Sequence, residues 1–391
     1  MPGKIKILIL FGTRPETIKL APVISELKKR RDNFAMRVVS SSQHTDLLAP
    51  FLNIFDIKPD YDLRVMTENQ TQNRVCARVL QGLDEIFDDE KPDCVLVQGD
   101  TTTAFAGAFA AFNRKIKIGH VEAGLRSGDP NSPFPEEMNR RLISQMATFH
   151  FAATEKNLEN LRRENTDQNK IFLTGNTVVD ALRFISETSS PNRKIHELIE
   201  KTADFKRILL TTHRRESFGA AMSANLVDLR EFVENHADVC LIFPVHPNPN
   251  VRKATNEILA GRERVHLLDP LEYVDFVALM KNSWLIVSDS GGVQEESPSL
   301  GVPVLILREN TERPEAVEAG AAKLVGANSL TQMLEENYND TRWIDSVKSI
   351  ANPFGDGAAA RRVADILERE FYLQKQKTVF TADTQSKALS F

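Results

Sequence analysis

The chain has 391 residues, 41% of them hydrophobic and 26% charged. That is the composition of a globular protein large enough for two ordinary domains, and it excludes a disordered or fibrous chain. With 49 basic residues against 54 acidic ones the formal net charge is −5, which argues against a general nucleic-acid or membrane-surface binder while leaving room for a local basic pocket. The three cysteines, Cys76, Cys94 and Cys240, are odd in number, far apart and never spaced Cys-x-x-Cys, as expected of reduced core residues in a cytosolic protein. No apolar run approaches the roughly 18 residues needed to span a bilayer. The first residues enter a short apolar strand with no small-residue cleavage site after it, so a soluble cytoplasmic protein is expected.

In chain order, Val/Ile/Leu-rich runs at 5–11, 37–41, 94–98, 116–121, 149–153, 208–212, 240–244, 265–268, 285–288 and 304–307 predict strands. They are continuously apolar rather than alternating, as strands buried on both faces should be. Amphipathic helical stretches separate them, which predicts an α/β protein with doubly wound parallel sheets. The plan runs twice: the strand and turn at 4–16 are echoed at 206–217, and those at 93–104 are echoed at 284–296. Two Rossmann-like halves follow, with the polar stretch 188–204 as the boundary region. The last amphipathic helix ends at Leu373, and the polar remainder, 374–391, is expected to be disordered.

In open parallel sheets ligands gather where strands end and helices begin. The first such place is Phe11-Gly-Thr-Arg-Pro-Glu-Thr-Ile-Lys19. Gly12 allows a tight turn, Pro15 suits a helix start, and Arg14 and Lys19 beside bare N–H groups make an anion site or simply a basic helix start. Neither a Walker loop nor a Gly-x-Gly-x-x-Gly dinucleotide fingerprint is present. Asp100 and Glu122 each follow an apolar strand, without an obvious cation nearby in sequence. Either can meet a substrate or merely cap the next helix. His120-Val-Glu122 matches half of a zinc-deaminase signature, but no Pro-Cys-x-x-Cys follows, so no metal is expected. Pro135-Glu136-Glu137 is a strong helix start, and Glu136 and Arg140, four apart, share a face. Carboxylates crowded near a phosphate would be natural proton donors and acceptors.

In the second half, His213 with Arg214 and Arg215 suits a phosphate oxygen or a departing phosphate, and His246 lies on a proline-stiffened loop. Ser290, Gly291 and Gly292 open a helix as a phosphate cradle, and Glu296 one turn on can take two ribose hydroxyls.

These motifs together resemble the non-hydrolysing UDP-N-acetylglucosamine 2-epimerases over roughly residues 4–373. The resemblance rests on 11–19, Gly-Asp-Thr-Thr-Thr (99–103), Gly-His-Val-Glu-Ala-Gly-Leu-Arg (119–126), Pro-Glu-Glu-Met-Asn-Arg (135–140), 174–181, His-Arg-Arg-Glu-Ser-Phe-Gly (213–219), 289–296, 311–316 and 352–357. It implies two Rossmann-like domains, 1–185 and 186–357, in the glycosyltransferase B arrangement, with the active site in the interdomain cleft and a helix at 358–373 crossing back to the first domain. It implies a homodimer with no metal and no redox cofactor. Arg14, Lys19, His213, Ser290 and Gly291 (with Gly292) would hold UDP phosphates, with Arg313 nearby. Glu296 would bind ribose, and Phe276 and the backbone near Leu271 would hold uracil. Asp100, Glu122 and Glu136 would flank the sugar, with Arg140 ordering Glu136. A second UDP-N-acetylglucosamine as activator would involve Gln43, His44, Asp46 and His246.

The C2 hydrogen of such a sugar is not adjacent to a carbonyl, so direct abstraction and return is too slow. Elimination of UDP to 2-acetamidoglucal and re-addition to the other face needs cations for the diphosphate and carboxylates at C2, which these motifs offer. Three alternatives stay open: a hydrolysing relative, a 2-epimerase of a diacetamido-uronate UDP-sugar, and a glycosyltransferase or silent UDP-sugar sensor.

Overall fold

The computed structural model describes residues 3–43, 45–67, 70–212, 219–326 and 329–388, with side chains described outside 45–48, 220 and 374–388. They form two compact units, Met1–Ala181 with Gly355–Phe391, and Leu182–Phe354. The first unit contains, in chain order, β1 (Ile5–Phe11), α1 (Arg14–Lys29), β2 (Phe34–Ser40), α2 (Thr45–Ile54), β3 (Tyr61–Asp62), α3 (Gln72–Glu90), β4 (Cys94–Gln98) and α4 (Thr102–Asn113). It continues with β5 (Lys117–Ala123), α5 (Glu136–Met146), β6 (Phe149–Ala152), α6 (Glu155–Arg163), β7 (Ile171–Leu173) and the start of α7 (Thr177–Thr188). The second unit contains α8 (Arg193–Lys201), β8 (Lys206–Thr211), α9 (Ala220–Asn235), β9 (Val239–Pro244), α10 (Pro249–Leu259), β10 (Val265–Leu268) and α11 (Tyr273–Lys281). Then come β11 (Leu285–Ser288), α12 (Gly291–Leu300), β12 (Val304–Ile306), α13 (Pro314–Glu318), β13 (Ala322–Leu324), α14 (Leu330–Asn339) and α15 (Arg342–Val347). The last helix, α16 (Ala359–Ala388), returns to the first unit.

Both sheets are parallel throughout, in the orders β3-β2-β1-β4-β5-β6-β7 and β10-β9-β8-β11-β12-β13. Each chain half works outward from its first strand and then returns to that strand's other side, which is the doubly wound plan expected from the alternating runs. The reversal leaves a crevice at the carboxyl ends of β1 and β4, and another at β8 and β11. Three strands escaped the sequence reading: β3, β7 and β13, of 2, 3 and 3 residues. All three are edge strands of two or three residues, too short to show the run of four or more apolar residues that marks the central ones, even in β7, which is Ile-Phe-Leu. The polar stretch 188–204 holds α8, and the contacts divide earlier, between Ala181 and Leu182 inside α7.

The central strands form because nearly every residue is apolar and enclosed. Leu8, Ile9, Leu10 and Phe11 of β1 are 0% exposed, as are Val95, Leu96 and Val97 of β4. In α4 the buried face is Ala104, Ala106, Ala108 and Ala111, small enough to lie close on β1 and β4. The core of the second unit is built alike, from Leu210, Phe232, Leu241, Phe243, Val287 and Leu305. Helix α16 inserts Ala360, Val363, Ala364, Leu367 and Phe371 among Leu20, Ile24 and Phe149. Its first amides, of Ala359 and Ala360, donate to the Asp180 carboxylate at 3.2 and 2.9 Å. Glu368 accepts from Asn33 at 2.6 Å and from Arg30 at 3.2 Å. The helix continues past Leu373 to Ala388, since 374–391 contains no Pro or Gly to stop it.

Among the described residues no helix is long and apolar enough to cross a membrane, and no group of three or more His, Cys, Asp or Glu is placed to hold a metal ion. The three cysteines are free, with Cys94 and Cys240 buried. Because Leu367 is fully buried at the α1–α16 contact, Leu367→Ala costs the first unit about 2–5 kcal/mol, read as a lowered midpoint in urea unfolding.

Candidate active site

In the first unit the acidic candidates stand at the ends of β4 and β5. The register of β5 against β6 pairs Val121 with Phe151 and Ala123 with Ala152, so Glu122 is the extra residue of a bulge. Its φ of 63° is left-handed, a conformation that costs a residue with a Cβ about 1–2 kcal/mol. The bulge re-aims the side chain, which three donors then hold. Lys19 Nζ meets Oε1 at 2.5 Å, the Asn176 amide reaches the same oxygen at 3.3 Å, and Gln98 Nε2 donates to Oε2. Lys19, in α1, and Gln98, the last residue of β4, are themselves buried. Lys19, expected on a phosphate, is thus engaged with Glu122.

Asp100 is fixed from α5. Arg140 Nε donates to its Oδ2 at 2.7 Å, and Asn139 Nδ2 donates to its backbone carbonyl at 2.8 Å. The same guanidinium reaches Glu137 Oε2 at 3.2 Å. Glu137 is 0% exposed. Burial alone would push its carboxyl up, but the Ser127 amide, Arg141 and Arg140 outweigh this and hold it below the usual carboxylate range. Glu136, half-buried, opens α5 beside it. Sequence reasoning set Arg140 to order Glu136; the same guanidinium bonds Asp100 and Glu137.

The β1–α1 turn lies beside this site. An added Cβ at Gly12 would come within 2.1 Å of Ser41 Oγ and 2.6 Å of Thr103 Oγ1, so only glycine fits. Arg14 is exposed at the first position of α1, its guanidinium 5.6 Å from the Phe51 ring. Thr103 Oγ1 donates to Gln43 Oε1 at 2.8 Å, bringing Gln43 to the same turn. His44 and His213 lie outside the described residues, and so does the side chain of Asp46.

In the second unit Ser290 precedes α12, whose first residues are Gly291 and Gly292. Arg313 lies across this N-terminus: a Cβ at Gly291 would sit 2.6 Å from its Cζ. Arg313 Nε donates to the buried Glu295 at 2.6 Å, and Nη1 to Glu312 at 3.2 Å. Glu296, 5% exposed, accepts from the Tyr273 hydroxyl at 2.6 Å. Tyr273 stands one turn before the half-buried Phe276 on α11, and Leu271, also half-buried, precedes that helix. The His246 ring accepts from the Asn248 amide at 3.2 Å. Glu137, Asn139, Gln98, Asn176 and Tyr273 had no role in the sequence reading. Glu137, Asn139 and Asn176 fall inside its motifs, but nothing in Tyr273 beyond its spacing from Phe276 announces it.

His120 is enclosed within β5. Its Nε2 donates to the Gly99 carbonyl at 2.8 Å, while its buried Nδ1 has no hydrogen-bond partner among the described residues. Burial lowers its pKa to about 3, and that of His150, paired with it across β5 and β6, to about 4. Both stay neutral in the fold, while the unfolded chain takes up protons as pH falls below about 6.5. Stability therefore drops between pH about 6.5 and 4. The thermal midpoint measured across that window should follow this slope, and replacing both by Phe should flatten it by about 1.4 kcal/mol per pH unit for each histidine.

The sequence matches the family described as UDP-N-acetylglucosamine 2-epimerase over residues 25–368. It is 45% identical over 381 residues to the UDP-N-acetylglucosamine 2-epimerase of Bacillus subtilis, covering 97% of this chain and 99% of that one. Identity to the Escherichia coli K12 enzyme of the same name is 44% over 370 residues, 93% of this chain and 98% of the other. Its fold is similar to that of the Neisseria meningitidis UDP-GlcNAc 2-epimerase bound to UDP-GlcNAc, with a TM-score of 0.85, 42% identity and coverage of 93% and 100% of the two chains. On sequence and fold alike, this chain belongs to the UDP-N-acetylglucosamine 2-epimerase family.

Proposed function

We propose that the protein interconverts UDP-N-acetylglucosamine and UDP-N-acetylmannosamine without hydrolysis. The observation that carries this reading is the pair of acids Asp100 and Glu122 at adjacent strand ends, each set against a cation brought from another element. A carboxylate takes the proton from C2 while the C1–O bond breaks and UDP departs with the bonding electrons, leaving 2-acetamidoglucal. UDP then adds back through its oxygen to C1, and a proton is delivered to the opposite face of C2. Asp100, Glu122 and Glu136 carry the proton traffic, with Arg140 holding Asp100 and Lys19 holding Glu122. His213, Arg14, Arg313 and the amides at Ser290, Gly291 and Gly292 neutralise the departing diphosphate. Glu296, ordered by Tyr273, takes the ribose, while Phe276 and the backbone at Leu271 take the uracil. The similarity to an enzyme solved with UDP-GlcNAc supports this division of roles.

The reading extends to a homodimer, to a cytoplasmic setting in keeping with three free cysteines, and to a second UDP-N-acetylglucosamine as activator near Gln43, His44, Asp46 and His246. The bond from Thr103 to Gln43 supports the last point, because it ties that region to the β1–α1 turn. A patch on α4 and α5 supports self-association: Phe109, Phe112, Met138 and Leu142 are 37%, 56%, 37% and 41% exposed.

Incubation with UDP-N-acetylglucosamine in D2O, followed by NMR, should give UDP-N-acetylmannosamine carrying deuterium at C2. Free N-acetylmannosamine would indicate hydrolysis instead, and unchanged substrate another sugar. Asp100→Asn, Glu122→Gln and Glu136→Gln should each lower kcat by about 10²–10⁴ with a much smaller change in KM. Equal losses in kcat and affinity would contradict the assigned roles. Phe112→Glu should convert a dimer to a monomer in sedimentation or light scattering, with the circular dichroism spectrum unchanged.

A further inference from the structure

We propose that Glu16 is a positioning residue for this reaction, its carboxylate tying the β1–α1 turn that carries Arg14 to the β4–α4 turn that carries Asp100. Glu16 is 0% exposed. Its Oε2 accepts from the amides of Gly12 and Thr13 at 3.0 and 2.8 Å and from Thr13 Oγ1 at 2.7 Å. The bond from the Thr13 amide is the Glu16 half of a capping box, and all three bonds serve the start of α1 alone. The other oxygen does something a cap does not require. Oε1 accepts from Thr101 Oγ1 at 2.7 Å, 85 residues along the chain. Thr101 is itself the N-cap of α4, its Oγ1 accepting from the Ala104 amide at 2.9 Å. One carboxylate thereby joins two helix N-termini.

The site is costly, which argues that the tie is not incidental. The four groups bonded to Glu16 are amides and hydroxyls, none of them a cation, and burial pushes its carboxyl up to about 7 in spite of them. A solvated cap would stabilise α1 without that penalty. The start of α4 also approaches the β1–α1 turn independently of Glu16, since a Cβ at Gly12 would come within 2.6 Å of Thr103 Oγ1. Asp100 precedes Thr101 and is held on its other side by Arg140 and Asn139. Glu16 thus ties Thr101 to α1 while Arg140 and Asn139 tie the adjacent Asp100 to α5, and without Glu16 the tie to α1 at Thr101 is lost. Misplacing a reacting group by about 1 Å can cost about a hundredfold in rate.

This inference rests on the reading that Asp100 acts on the sugar, so the test separates the two. kcat, KM for UDP-N-acetylglucosamine and the thermal midpoint are measured for Glu16→Gln, Thr101→Val, their combination, Thr101→Ser and Asp100→Asn. Glu16→Gln and Thr101→Val should each lower kcat by about tenfold to a hundredfold with KM within about threefold. The double variant should lose no more than the worse single one, because both break the same tie. Thr101→Ser, which keeps the hydroxyl, should retain most of kcat. If Glu16→Gln does not fold, the contrast between Val and Ser at Thr101 decides. Full kcat in a folded Thr101→Val, or losses that multiply in the double variant, would overturn the tie. Full kcat in Asp100→Asn would overturn the reading of the site itself.

Discussion

An acid at the carboxyl end of a strand buried on both faces cannot satisfy itself locally, and the site follows from how this chain meets that constraint. The strand's backbone groups belong to the ladder, so the side chain must find its partners on other elements. Glu122 takes Lys19 from α1, Gln98 from the neighbouring strand and Asn176 from the turn before α7. The Asp100 carboxylate takes Arg140 from α5, and Asn139 of the same helix holds its backbone carbonyl. The register makes this possible: Gln98 is paired with Val121, so the strand end of β4 stands directly beside the bulge that turns Glu122. A slip of one residue between β4 and β5 would turn Gln98 to the other face and leave the acid short of a donor.

The second unit meets the same constraint with different chemistry. Its strand-end acid, the buried Asp289 after β11, accepts from the Thr212 hydroxyl at 3.0 Å, and two further buried acids, Glu295 and Glu296, lie on the first turns of α12. Glu295 holds Arg313 over the glycine-opened N-terminus, which concentrates positive character where a diphosphate would sit, and Glu296 is steadied by Tyr273. Donors and cations fixed before the substrate arrives need no reorganisation at the moment of reaction, which is where most of an enzyme's electrostatic advantage lies. The fold supplies such preset partners twice, once around strand-end carboxylates and once around a helix N-terminus.

Much of this was legible from residues alone, for a physical reason. Central strands buried on both faces must be continuously apolar, so β1, β4, β8 and β11 stand out, and the polar residues that follow them are conspicuous. Gly12, Asp100, Glu122 and Ser290 were singled out in that way. What stayed hidden is whatever depends on which distant side chains meet. Lys19 reads as a phosphate ligand until β5 brings Glu122 to it. Glu136 and Glu137 are adjacent carboxylates with the same helix-start signal, and only packing decides that the second is enclosed and shares Arg140. Tyr273 carries no signal in sequence, since its partner is 23 residues away on another helix. The edge strands β3, β7 and β13 were missed because two or three residues are too few to carry a strand pattern, apolar or not.

The account stands on acids that are aimed before substrate binds and that act at one carbon of the sugar. A crystal structure of the protein with UDP-N-acetylglucosamine in place measures this directly. The account predicts carboxylate oxygens of Asp100 and Glu122 within about 3–3.5 Å of the atoms at C2 of the pyranose, with their ties to Arg140 and Lys19 in place. Both carboxylates lying more than about 6 Å from that carbon, too far for transfer directly or through one water, would contradict it.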